Sequence, residues 1–367
     1  MTGLLFPKKI GIVLASLLLI ALNRVQAQET VLLPELETIS FENADRLHEV
    51  AVLESTAVQH LAWSQDSRNL AVVNSSGLTL YTLEDRVITA RFLAEGNFFA
   101  TGIAFSPDNT ILATAEASSE LNRSILKYWD ADDRTLLREF EYDYPSLSGI
   151  LFSPSGLRLI ARITGQDISA SVVFLDVTTG EEISHVSYPW PVTNMMLSPD
   201  DSALIYGVGN AVYDNSHNYL YSITAWVFDD AYTGHPLDLG VHLGGFQDID
   251  SPFDGTYFII LLSPDGTLLA ARPNEGHDTL WDVASGEQLA TLPDNLRFDS
   301  FLLDGTLVVS DSTDNTVRLW RPDEDQMPLI FDNENIQWLQ SYLSPDGKVL
   351  AVSTYFDIIR LYGVPTE

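Results

Sequence analysis

The sequence predicts an all-β ring of short antiparallel sheets, and three observations predict it. A turn recurs as Ser106-Pro107-Asp108-Asn109, Ser153-Pro154-Ser155-Gly156, Ser198-Pro199-Asp200-Asp201, Ser263-Pro264-Asp265-Gly266 and Ser344-Pro345-Asp346-Gly347, with looser copies at Ser64-Gln65-Asp66-Ser67 and Leu302-Leu303-Asp304-Gly305. Taking the second position of each, the register runs 65, 107, 154, 199, 264, 303 and 345, with gaps of 42, 47, 45, 65, 39 and 42 residues. A period near forty residues marks a repeat architecture. Each turn lies between two apolar runs, and an apolar–aromatic pair recurs later in each repeat.

One repeat can be written from the residues around Pro264. Tyr257 to Leu262 is β-rich, the turn follows, and Thr267 to Ala271 returns as its hairpin partner. Proline presets φ, aspartate bonds back to the backbone, and glycine takes the positive-φ position. Asp278 to Asp282 starts a third strand, Ser285-Gly286 turns the chain, and Glu287 to Leu292 forms a fourth. Four short antiparallel strands in about forty residues make one propeller blade. The whole chain therefore predicts a seven-bladed β-propeller of four-stranded antiparallel blades.

The third strand ends in Leu80-Tyr81, Tyr128-Trp129, Val227-Phe228, Leu280-Trp281, Leu319-Trp320 and Leu361-Tyr362, with Phe174-Leu175 in the third repeat. Asp130, Asp176, Asp229 and Asp282 follow four of these pairs. A large ring at this spot is expected to fill the space between neighbouring sheets. On these residues the chain resembles the WD-repeat β-propellers, especially the exported bacterial kind. Trp129-Asp130 and Trp281-Asp282 match that family's Trp-Asp ending, and the Ser-Pro-Asp-Gly turn matches its first hairpin. The turn also occurs in the related propellers of the periplasmic Tol system; the Trp-Asp endings favour the WD type. The resemblance covers nearly everything after residue 44 and implies a fold rather than a function. One feature departs from it. The family's Gly-His pair before the inner strand is missing, since Gly234-His235 and Gly276-His277 stand elsewhere in the repeat. The His–Asp hydrogen-bond network of the family is accordingly expected to be lost.

The last repeat stops after its third strand, Ile358 to Tyr362, and a surplus strand, Leu47 to Leu53, precedes the first turn. That strand is expected to complete the last blade and close the ring, removing an exposed sheet edge. Ahead of it, Lys8 and Lys9, the apolar run Ile10 to Leu22 and Val25-Gln26-Ala27 read as a cleavable export signal. The run is shorter than the roughly 20 residues a bilayer needs; an uncleaved anchor is the rival reading. The expected divisions are a signal peptide over 1–27, a linker over 28–43 and the propeller over 44–367. The mature protein is then extracytoplasmic, with no membrane insertion after signal cleavage.

The chain has no cysteine, which excludes disulfides, thiolate metal sites, a thiol nucleophile and an N-terminal lipidated cysteine. Without the signal, 16 basic face 51 acidic side chains, a net charge near −35. Such a field repels phosphate backbones and anionic lipid heads. Nucleic acid is excluded as a partner on this ground, and another protein or a cationic ligand is expected instead, with the chain a monomer.

Loops from second to third strand, and from fourth strand to the next blade, must emerge on one face; the tight turns emerge on the other. The 65-residue gap places two insertions on the loop face, around Gly207 to Asn218 and His242 to Thr256. Binding normally lives on such loops. The candidate patch is Tyr213, His217, Phe246, Asp248, Asp250, Phe253, Asp254 and Trp190, with Phe98 and Phe99 on the same face. Aromatic beside polar residues suit recognition; the alternative is that these rings cap blade ends and the loops are merely long. Asp248 to Gly255 also invites a calcium reading, against which Pro252 and the spacing favour a solvated acidic turn. No G-x-S-x-G, H-E-x-x-H or glycine-rich phosphate loop occurs. Asn74 and Asn122 head Asn-x-Ser/Thr triplets that read as chance matches. The sequence thus points to a non-catalytic protein-binding or scaffolding module with no cofactor. The alternative is a hydrolase or metal-dependent enzyme with a shallow site on that face or in the central channel, where His217 or His242 would serve as base.

Overall fold

The computed structural model describes residues 31–366 except 56, 75–76, 96–99, 119–122, 165–169, 189–191, 198–202, 211–218, 228–235, 247–258, 273–276, 323, 325–326, 333–338 and 355–357. It opens with β1 (Val31–Leu32), β2 (Leu36–Glu37), a 3-10 helix (Phe41–Arg46) and β3 (His48–Glu54). The first sheet follows with β4 (Val58–Trp63), β5 (Asn69–Asn74), β6 (Gly77–Glu84) and β7 (Val87–Glu95). The second holds β8 (Ala100–Phe105), β9 (Ile111–Ser118), β10 (Arg123–Asp130) and β11 (Leu136–Tyr142). The third holds β12 (Leu147–Phe152), β13 (Arg158–Thr164), β14 (Ala170–Asp176) and β15 (Glu182–Tyr188). In the fourth position stand β16 (Val192–Leu197), β17 (Ala203–Asn210), β18 (Tyr219–Val227) and β19 (Pro236–Phe246). Then come β20 (Ile259–Leu262), β21 (Leu268–Arg272), β22 (Thr279–Asp282) and β23 (Gln288–Thr291). The next sheet is β24 (Leu296–Phe301), β25 (Leu307–Asp311), β26 (Thr316–Trp320) and β27 (Leu329–Asp332). The last has β28 (Leu339–Leu343), β29 (Leu350–Thr354) and β30 (Ile358–Pro365). Each sheet is antiparallel and meandering, as its hairpins dictate.

The expectation of a seven-bladed β-propeller of four-stranded antiparallel blades is corrected by this topology. Six blades, not seven, are regular and described through their packed strands. Two of those six have five strands, because β1 joins the first sheet beside β7 and both β2 and β3 pair with β30 in the last. The sheet of β16–β19 departs from the others. Its third and fourth strands run to nine and eleven residues, their register shifts twice, and their side chains lie outside the described residues. The cause is insertion: the surplus residues of the 65-residue gap lengthen these strands, so this sheet cannot repeat its neighbours' geometry.

Ring closure by the N-terminal strand is observed. β3 pairs with β30 from His48↔Gly363 to Glu54↔Ile358, one residue beyond the expected strand. Arg360 and Glu49 form an ion pair across this seam. The stretch before β3, expected as a linker, is packed in the described part. Val31 pairs with Ile88, and the Ile39 amide donates to Gly347 O at 2.8 Å. Ile39, Ala44 and Leu47 are buried in the cluster that joins the last two blades. Arg321 lies over the Phe41 ring and pairs with Glu42 at 3.0 Å and Asp304 at 2.7 Å. Residues 31–47 thus strap the seam from the first blade, across the last, to the one before it.

Blade packing follows the sequence signals. Tyr81, Trp129, Trp320 and Tyr362 are buried between sheets, and Trp129 Nε1 donates to Thr114 Oγ1 at 3.0 Å. The aspartate after the ring holds the outer hairpin: Asp130 accepts the Asp132 and Asp133 amides, and Asp176 accepts those of Thr178 and Thr179. In the inner hairpins Ser106 Oγ donates to Asp108 Oδ1 at 2.6 Å and accepts the Ile111 amide at 2.9 Å. The same pattern repeats at Ser64, Ser263 and Ser344.

Candidate functional site

The two faces of the ring are chemically unequal. The inner turns of adjacent blades touch, making a collar. The Gln65 amide donates to Asn109 Oδ1 at 2.7 Å, and the Asp346 amide to Ser67 Oγ at 2.9 Å. Glycine permits the close approach elsewhere. A Cβ on Gly347, which has φ +73°, would lie 2.5 Å from Leu303 Cδ1. Strand alternation sends the connections between second and third strands, and between blades, to the opposite face.

The candidate patch falls mostly outside the described residues: this is so for Tyr213, His217, Asp248, Asp250, Phe253, Asp254 and Trp190, and for the calcium reading of 248–255. Phe246 is placed by its backbone, opposite Tyr219 at the end of β19. Gly207–Asn210 and His242–Phe246, read as inserted loop, instead extend β17 and β19. The intervening connections are therefore 211–218 and 247–258. Among the described residues, no group of three or more His, Cys, Asp or Glu could hold a metal ion. No described helix is long and apolar enough to cross a membrane. Asn74 is buried, donating to Ser55 Oγ at 2.9 Å and accepting the Gly77 amide at 3.1 Å, so its side chain is engaged within the fold.

The channel mouth is what sequence reading missed. Inner strands β4, β8, β12, β16 and β24 each carry a register irregularity, after Val58, Ala100, Ser148, Val192 and Phe298. Such bulges re-aim side chains and twist a strand. Beside those of the first four sheets lies a cavity of about 230 Å³, reached by His60, Thr101, Arg162 and Met195. His60 and Thr101 lie in the first half of their inner strands and Arg162 near the end of β13, toward the loop face, while Met195 lies further toward the collar. Thr101 Oγ1 donates to Leu147 O, tying the second blade to the third. Arg162 Nε donates to Ser148 Oγ at 3.1 Å and its Nη1 to Val192 O at 2.9 Å, tying the third to the fourth. Burial pushes the His60 imidazole below its usual range, partly offset by its bond to the Ala100 backbone.

Across the ring, Asp299 sits at the β24 bulge. Counting back from each inner turn, it occupies the column filled by Leu61, Ile103, Ile150, Met195 and Ile260. That column was legible as one acid after five aliphatics, with Ser341 in the last repeat. Burial pushes its carboxyl up to about 7, against the opposing pull of Arg272 and Ser310. Its Oδ2 is enclosed without a hydrogen-bond partner. Asp278, fully buried beside it, is held by Arg272 Nε at 3.0 Å and the Phe298 amide at 2.8 Å. The ion pair lies within one blade; the Phe298 amide and Arg297, at 3.6 Å, reach Asp278 from the next and so join the two.

Repeat, hairpin chemistry and ring together define a β-propeller of four-stranded antiparallel blades. Comparison with known proteins agrees with this. No family model matches the chain. WD repeat and SOCS box-containing protein 1 of Homo sapiens is 37% identical over 93 residues, covering 23% of this chain and 22% of that protein. Its Danio rerio counterpart is 36% identical over 92 residues, with 23% and 22% covered. The match thus spans less than a quarter of these relatives' length. Among solved structures, a chain in the crystal structure of a Mitotic Checkpoint Complex superposes with a TM-score of 0.63 at 14% identity, covering 90% of this chain and 99% of that one. That likeness is one of fold.

Proposed function

We propose that this chain is an exported, non-catalytic scaffold that binds other proteins on its loop face. The observation that carries the reading is the turn face, where neighbouring inner turns bond to each other at Gln65–Asn109 and Ser67–Asp346; strand alternation sends the longer connections the other way. Loops on a rigid frame are the usual bearers of recognition. The net charge near −35 after signal removal favours partners with basic surfaces and slows approach of acidic ones. Export rests on the basic n-region, apolar run and small-residue cleavage pattern at the N-terminus. The structural neighbour comes from a complex of proteins, and the curated relatives carry WD repeats in their names, which accord with a binding role.

Affinity capture tests the reading. The intact protein and a variant with 211–218 and 247–256 shortened, which spares β17 and β19, are compared as baits at equal melting temperature. Partners held by the intact ring and lost by the shortened one are expected. Equal recovery by both removes the loop face from the account.

A further inference from the structure

The outer strands share an irregularity near their start. In β11, Trp129 pairs with Leu136 and Tyr128 with Arg138, so Leu137 is an extra residue. The same step leaves Ile183 extra in β15, Leu289 in β23 and Ile330 in β27. A bulge of this kind bends a strand and re-aims its side chain. All four extra residues are aliphatic, although each stands on the outermost strand of its blade. Their surroundings differ. Leu137, Ile183 and Leu289 are 46% to 48% exposed, whereas Ile330 is only 7% exposed. Ile330 shares a buried cluster with Ile39, Ala44 and Leu47, so the strap of this same chain covers it. In these four strands one apolar position recurs, and it is covered once.

We propose that the exposed position on the second blade, Leu136–Leu137, docks a short segment of another protein that carries spaced apolar residues and a net positive charge. Two observations select that occupant. The first is the strap, which shows what such a position accepts: a stretch whose apolar residues Ile39, Phe41, Ala44 and Leu47 stand two or three residues apart. The second is charge. Asp132, Asp133 and Glu139 are exposed beside the two leucines in the chain. A basic segment meets these acids with opposite charge, and an acidic one is repelled. Leu136, itself exposed, adds to the apolar area of Leu137, and burying both supplies affinity. The seat is held in place before a partner arrives, because Arg138 donates to Thr178 O and Tyr142 Oη donates to Gly180 O at 2.7 Å, tying β11 to the third blade. This contact is on the rim of the ring and does not rest on the loop-face reading.

The probe is a fluorescent synthetic peptide of residues 37–47 in which Glu37, Glu42 and Asp45 are replaced by lysine. Two peptides serve as controls: the unaltered acidic 37–47, and the basic one with Ile39, Phe41 and Leu47 replaced by serine. Fluorescence anisotropy with the folded protein should show saturable binding of the probe, with each control weaker by about tenfold or more. Leu136→Ser combined with Leu137→Ser, at exposed positions, should lower probe affinity by about tenfold at an unchanged melting temperature. Because a strap-derived peptide can also displace the strap at Ile330, a photo-crosslinking form of the probe locates its seat in the wild type. Crosslinks are expected on residues 132–139. Crosslinks confined to β27 or β30, undiminished binding in the double variant, equal binding of the probe and either control, or no probe binding at all each overturns the proposal.

Discussion

Asp299 shows how much one residue can set against its repeat. Its column is aliphatic in the first five repeats, and the carboxyl that replaces them retains its proton to about pH 7 because burial disfavours the charge. The groups facing it are Arg272 and Asp278 from the preceding blade and Ser310 from its own. A folded-state pKa raised above the ordinary 3.8 contributes stability that is full in acid and lost as pH rises through about 7. Asp299→Asn cannot ionise and escapes that loss. Between pH 5.5 and 8.5 the wild type should lose about 2 kcal/mol relative to this variant, read from denaturant unfolding at the two pH values. Parallel curves for both proteins would mean that the carboxyl is ionised throughout. A second residue with an outsized effect is Gly180, at φ +74° in an outer turn, where a Cβ would sit 2.3 Å from the Phe140 ring. Gly180→Ala combines a left-handed backbone with a clash against the neighbouring blade, and should lower stability by about 2 kcal/mol or more in chemical denaturation. The turns themselves were legible residue by residue, because Ser, Asp and Gly each do one local job there. Arg162 and Thr101 were not, because their partners lie in the next blade and no local pattern announces them.

At the scale of elements, closure was legible because a strand lacking a partner and a blade lacking a strand form a simple deficit. The strap was not. β1 and β2 are two residues each, too short for alternation to show, and they exist only because β7 and β30 offer edges to pair with. The buried anchors Ile39, Ala44 and Leu47 follow no strand period. Deleting residues 44–53 removes the strand that covers β30 and the last turn of the strap. A cooperative loss of melting temperature is expected, together with self-association through the bared edge. An unaltered melting curve and a monomeric elution profile would show that β3 does not hold the ring.

For the whole molecule, period and hairpin chemistry made the ring readable, while regularity was overestimated. The long gap between Pro199 and Pro264 was read as loop; part of it lengthens β17 and β19, since extra residues beside an existing hairpin can extend its ladder as readily as leave it. The channel was invisible in the sequence for another reason: a cavity is made by four blades that are adjacent in space and about forty residues apart in the chain. What the ring presents is a collar closed upon itself and a face of connections, and the account rests on partners using the second. Amide hydrogen exchange on the ring alone and in complex with a captured partner tests this most directly. Slowed exchange confined to the connections between second and third strands and between consecutive blades is the result predicted. Protection centred on the Ser-Pro-Asp-Gly collar, with the loop face unchanged, would contradict it.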